Sequence, residues 1–158
     1  MKAFREILAA AGLLFAILIA VYGCFTLPQQ FPTHFDANNI ADGWSGKSSL
    51  WFEPAIACVI YVVLTLVRYV PDRCFSFPFD PEQRAATRPI NLSAVAWLKA
   101  EFIWIFAASS WFSVAEARGQ NPDLILWFIP LALGVIFATV IYHIVLTVRL
   151  KPAKSVAQ

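Results

Sequence analysis

Charge is scarce in this chain. Of its 158 residues, 14% are Asp, Glu, Lys or Arg, against roughly a quarter in ordinary soluble domains. That leaves too little polar sequence for a separate water-soluble domain. No internal repeat or low-complexity segment occurs. The three cysteines, Cys24, Cys58 and Cys74, show no metal-type spacing and read as small apolar residues. No nucleophile beside a base, no phosphate-cradling glycine loop and no cofactor motif is present, so the expectation is a protein without catalytic residues, metal or cofactor. The formal net charge of +2 does not signal nucleic acid, because the basic residues are spread between apolar runs rather than gathered in a patch.

What the chain has instead is apolar sequence, 59% hydrophobic and 15% aromatic. Ile7 to Leu27 is free of charge, and Leu124 to Val148 has only Tyr142 and His143 as titratable side chains. A bilayer core takes about 20 helical residues, so both runs qualify as spans. Between Glu53 and Arg68 the apolar run is shorter, but Leu50, Trp51 and Phe52 extend it at one end and Tyr69 and Val70 at the other. Arg68 can lay its stem along the helix and put its head in the interface. A further run from Ile90 to Ala115 contains Lys99 and Glu101, so that helix starts near Ile90 or nearer Trp97. The expected fold is all-α. It is a single membrane domain, a four-helix transmembrane bundle with spans at about 7–27, 50–70, 92–115 and 124–148, and it fixes the lipid bilayer as a partner.

Basic residues set the expected orientation. Lys2, Arg5, Arg68, Arg73, Arg84, Arg88, Arg149, Lys151 and Lys154 all fall at one end of such a bundle, and the other connections hold Lys47 and Arg118. Both termini are therefore expected in the cytoplasm. Lys2 and Arg5 ahead of an apolar run that reaches Cys24 also resemble a lipoprotein signal. The run is long enough to span and continues past the cysteine, so an uncleaved helix is expected.

Within the spans, Gly12, Ala16, Ala20 and Cys24 recur every four residues and predict a small-residue face turned into the bundle. Trp97, Trp104 and Trp111 share one face with Glu101 between the first two. Either that stripe turns inward, or Glu101 reaches the interface, since a carboxylate at depth avoids lipid. Pro130, one turn before Gly134, can bend the last helix. His143 and Glu101 fall at similar depth in an antiparallel arrangement. Together with Lys99 they form either a polar site or a structural contact between helices.

The connection from Leu27 to Lys47 is too apolar and too rich in turn formers for a floppy linker. Pro28 ends the first helix, Pro32 stiffens the exit, and Asp36, Asn38, Asn39 and Asp42 can close turns. Trp44 and Trp51, with Trp111 and Trp127, suit the outer interface. His34, Asp36 and Asp42 suit either metal ligation or loop fastening. No second histidine or cysteine lies nearby to complete a tetrahedral set, so fastening is expected, with Lys47 pairing an acid or a lipid phosphate.

In order and spacing, Leu27, Pro28, Pro32, His34, Phe35, Asp42, Trp44 and Lys47 resemble the amino-terminal membrane domain of SdpI-type proteins, with Asn39 where that family usually has a turn glycine. The resemblance covers span one through span two. It implies a multi-pass protein of the bacterial cytoplasmic membrane, related to proteins that protect a cell against a secreted toxic peptide and signal its presence. His34, Asp36, Asp42, Trp44 and Lys47 are then the expected ligand-binding or loop-structuring residues, receiving an extracytoplasmic peptide or lipid. Two other classes stay open: an accessory subunit packing on a larger membrane complex, and a small transporter or proton pathway using Glu101 and His143.

Overall fold

The computed structural model describes residues 2–35, 40–71, 74, 81–120 and 124–150. Among these, four helices are long and apolar enough to cross a membrane. Helix α1 (Lys2–Thr26) leads into strands β1 (Gln30–Phe35) and β2 (Ala41–Gly46), followed by α2 (Phe52–Leu66), α3 (Pro81–Ala117) and α4 (Leu124–Arg149). The all-α four-helix expectation holds, and the connection after α1 adds a two-stranded antiparallel hairpin that the sequence reading did not assign.

The elements end where the chemistry makes them end. Helix α2 alone has 15 residues, but 3₁₀ turns at Lys47–Trp51 and Val67–Tyr69 extend it on both sides. The helical stretch then reaches 23 residues, and the flanking aromatics supply the length that the apolar run lacks. Helix α3 runs further than its apolar stretch. It begins at Pro81, ahead of Pro89, because a proline in the first turn is pre-organised for helix and its missing N–H would be unsatisfied anyway. At 1.5 Å per residue its 37 residues span about 55 Å. A hydrocarbon core is about 30 Å thick, so the basic first turns protrude from it. The helix closes on Gly119, whose φ of 76° suits a residue without Cβ. Gln120 N–H donates to Ala115 O at 3.0 Å and Gly119 N–H to Glu116 O at 2.8 Å, the paired closure of a Schellman cap.

The helices pack through small residues, as the four-residue spacing predicts. Gly12, Ala16 and Ala20 are buried, and Cys24 is half-buried. A Cβ on Gly12 would lie 3.0 Å from Trp104 Nε1 and 3.1 Å from Ile103 Cγ2, so α1 and α3 touch almost backbone to side chain. The same approach lets Trp104 Nε1 donate to the Leu8 carbonyl at 3.0 Å while its ring stacks on Phe15 at 5.8 Å. The tryptophan stripe thus lies along the edge of α1. Trp97 meets Phe4 edge-on at 6.5 Å, and Trp111 stays exposed.

Two buried clusters result. Ala9, Ala57, Ala100 and Ile103 fill the half toward the N-terminus, and Ile19, Ala20, Leu27, Phe31, Leu50 and Val114 fill the half beneath the hairpin. Helix α4 hangs on α3 by Phe112 against Phe128 at 5.1 Å and by polar contacts described below, with most of its large side chains exposed for lipid. It runs unbroken past Pro130.

Gly12→Val should lower stability in detergent by about 1–3 kcal/mol, the usual cost of overpacking. Gly134→Ala on α4, where no atom lies within 4 Å of the added Cβ, should stay within about 0.5 kcal/mol. Thermal unfolding of the two variants side by side checks both.

Candidate functional site

The hairpin is held by one aromatic plug and one capped helix end. Phe31 is 1% exposed and packs into the bundle, so β1 is pinned by apolar burial. Lys47 Nζ donates to Cys24 O at 2.6 Å, satisfying one of the carbonyls that the last turn of α1 leaves without a partner. Lys47 therefore fastens the loop through a backbone carbonyl rather than through an acid. Pairing runs Gln30 to Gly46, Phe31 to Ser45, Pro32 to Trp44, His34 to Gly43 and Phe35 to Ala41, with irregularities on both sides of His34. Pro32 contributes to them by lacking a ladder donor. Thr33 and Ser45 hydroxyls meet across the strands at 3.2 Å.

Of the residues singled out from sequence in the hairpin, the described ones take separate places. Asp42 and Trp44 alternate outward on β2, where Trp44 is 61% exposed, and Lys47 turns to α1. The side chain of His34 and the whole of Asp36 lie outside the described residues. Among the described residues no group of three His, Cys, Asp or Glu side chains is placed to hold a metal.

What converges instead is a cavity of about 650 Å³ beneath the hairpin, lined by Phe31, Thr33 and Ser45 above, Ser48, Ser49, Trp51 and Glu53 at the start of α2, and Ser110 and Ser113 on α3. Its volume falls in the range of small-ligand sites, about 300–1,000 Å³. Glu53 Oε1 accepts from Ser109 Oγ at 2.5 Å. Ser110 is 3% exposed and its hydroxyl has no partner. A helical serine ordinarily bonds back to a carbonyl, and an unmet buried hydroxyl is a cost that a ligand can remove. Among the described residues, no lysine or arginine lines the space. Sequence reading missed these residues because single serines carry no motif. The signal was their density, with Ser109, Ser110 and Ser113 set in an otherwise apolar span.

The intramembrane polar residues divide into two contacts. Lys99, 1% exposed, donates to Glu6 Oε2 at 2.6 Å and Thr65 Oγ1 at 3.0 Å, with its ammonium 4.8 Å from the Tyr61 ring. One charge thus joins α1, α2 and α3. Glu101 Oε1 accepts from Thr139 Oγ1 at 2.5 Å, while Oε2 is buried without a partner. His143, 7% exposed, places Nδ1 2.8 Å from the Thr139 carbonyl and Nε2 3.3 Å from Ser93 Oγ. A carbonyl only accepts, so Nδ1 carries the proton in that contact. Glu101 and His143 are brought together through Thr139, one by its hydroxyl and the other by its carbonyl. Ser93 Oγ also receives Arg5.

Four apolar helices with their internal charges paired or hydrogen-bonded across the bundle define a multi-pass helical membrane protein in a lipid bilayer environment. Within it, residues 11–58 match the family described as a domain of unknown function, DUF1648. The matched stretch takes in most of α1, the hairpin and the first turns of α2. Neither a curated protein nor a solved structure matches the chain.

A double-mutant cycle of Glu101→Gln with Thr139→Val, followed by unfolding in detergent, should give a coupling of about 0.5–1.7 kcal/mol, the range for polar contacts between membrane helices. Glu101→Gln with His143→Ala should give less, since Thr139 separates the pair. Equal coupling in the two cycles would contradict this arrangement.

Proposed function

We propose that this is a non-enzymatic bacterial membrane protein of the SdpI type, which receives an amphipathic cationic peptide in the cavity beneath the hairpin and serves immunity or sensing toward it. The observation that carries the reading is the Ser110 hydroxyl, buried without a partner in a cavity whose described lining has one charged group, the carboxylate of Glu53. Hydroxyls complement the amide groups of a peptide backbone, and Glu53 complements a lysine, arginine or free amine. Phe31 and Trp51 offer apolar surface beside them. Among the described lining residues the phosphate of an anionic lipid meets no cation, which favours a peptide over a lipid. The family match supports the reading by covering the hairpin and Glu53. The orientation proposed is cytoplasmic for both termini and external for the hairpin, in keeping with Lys2, Arg5, Arg68, Arg84 and Arg88 at one end against Lys47 and Arg118 at the other.

A second reading, an accessory subunit of a larger membrane complex, is favoured by α4. Its exposed Trp127, Leu131, Phe137 and Val148 provide a long apolar surface that needs no site. A proton pathway is disfavoured, because the step from His143 ends on the Thr139 carbonyl, which has no proton to pass on.

The test uses a fluorescently labelled amphipathic peptide of leucine and lysine, titrated into proteoliposomes of neutral phosphatidylcholine. Glu53→Gln retains an acceptor for Ser109 but removes the charge, and should weaken binding about tenfold, the equivalent of 1.4 kcal/mol. Ser110→Leu should block the cavity and abolish saturable binding. Wild-type affinity in both variants would overturn the peptide reading. Recovery of the chain as a stoichiometric component of a larger assembly would support the accessory one.

A further inference from the structure

At the end of the bundle away from the hairpin, a second cavity of about 380 Å³ opens between α1, α2 and α3, lined by Lys2, Arg5, Glu6, Arg68, Arg88 and Lys99 among its polar side chains. It holds far more than the roughly 10–15 Å³ that one water requires. Among the described lining residues the one carboxylate, Glu6, is already committed, bound to Lys99 at 2.6 Å. Arg5 is 8% exposed. Its Nη1 reaches the hydroxyl and carbonyl of Ser93, and its guanidinium lies 5.9 Å from the Trp97 ring centroid. Its Nε is buried without a partner. A guanidinium cannot shed its proton, and a buried charge without a counterion is strongly disfavoured. No carboxylate pairs with Arg5 among the described residues.

We infer that this cavity is a binding site for a phosphate-bearing anion, with Arg5 as its buried anchor and Lys2 and Arg68 beside it. Arginine presents a planar fork of donors that matches phosphate oxygens, and Nε is the donor still open. Two sources share this chemistry: the headgroup of an anionic phospholipid and free phosphate. The site's place favours the headgroup. It sits at the ends of membrane-length helices, where α3 leaves the hydrocarbon, and basic pockets between such helices suit anionic headgroups. The outer cavity plays no part in this inference, so failure of the peptide reading would leave it untouched.

The experiment measures thermal unfolding of the full chain in neutral detergent with added phosphatidylglycerol, phosphatidylcholine or inorganic phosphate. Phosphatidylglycerol at a hundredfold excess over its Kd should raise Tm by about 5 °C or more, and phosphatidylcholine should not. An equal rise with inorganic phosphate alone assigns the site to the free anion; a rise with the lipid only assigns it to the headgroup. Arg5→Gln should remove the rise. Because Arg5 also holds Ser93, Lys2→Gln with Arg68→Gln serves as a second variant on the cavity's edge, and should cut the rise at least by half while leaving the anion-free Tm close to wild type. No rise in the wild type with either anion, or an undiminished rise in both variants, would overturn the inference.

Discussion

The close seam between α1 and α3 is the contact on which the rest of this fold depends. In lipid there is no hydrophobic gain from burying one apolar helix on another, so association rests on tight packing and on hydrogen bonds between helices. Gly12 supplies both. Its missing side chain makes room for Trp104, and the indole then reaches past it to the Leu8 carbonyl. Once that depth is set, Glu6 meets Lys99 and Arg5 meets Ser93 nearer the N-terminus. In the other direction Gly23 leaves space for Leu50 and Val114. The hairpin plug Phe31 belongs to the same cluster as those two residues, so the cavity beneath the hairpin inherits its shape from a seam that starts some four turns away.

Polar residues inside the bundle follow from the same constraint. Each ionisable group among helices must find a partner because water is not available to supply one. Lys99 finds Glu6 and Thr65, Glu101 finds Thr139, and His143 finds Thr139 and Ser93. The Thr139 and His143 contacts join α4 to α3 in one half, and the aromatic pair Phe112 and Phe128 joins them in the other. The Arg5 to Ser93 to His143 series resembles a relay, yet it is interrupted at a backbone carbonyl. It ties α4 to α1 and α3.

The parts of the fold legible in the sequence were those written in periodicity. The four apolar runs and the Gly12, Ala16, Ala20 face both follow from the geometry of a helix, and they stand where spacing put them. The hairpin was not legible. Pro32 and the run of turn formers mask any strand alternation, and the strands owe their existence to Phe31 being buried by helices distant in sequence. The start of α3 was hidden because its expected place, near Ile90 or Trp97, followed the apolar run, whereas the helix begins earlier, at Pro81. The candidate site was missed for a related reason. Histidine, aspartate and tryptophan in the loop attract notice by their chemistry, but Asp42 and Trp44 face outward and Lys47 closes a helix end. The serines that line the cavity come from three separate segments and acquire meaning only when α2 and α3 are laid together.

The two cavities, taken together, give the bundle a polarity that its nearly balanced net charge conceals. Among the described residues, the lining beneath the hairpin has the carboxylate of Glu53 and no cation, and the lining at the opposite end is basic, its carboxylate Glu6 bound to Lys99. Neither arrangement follows from helix packing, which is satisfied by the alanine and glycine seam between them. Ser110 Oγ at one end and Arg5 Nε at the other are buried polar atoms left without partners, although the same helices pair Lys99, Thr139 and Trp104 over comparable distances. A fold able to satisfy those groups leaves Ser110 and Arg5 open beside space large enough for more than water. The natural partners of such atoms are groups from outside the chain, one complementary to an acidic pocket and the other to a basic one.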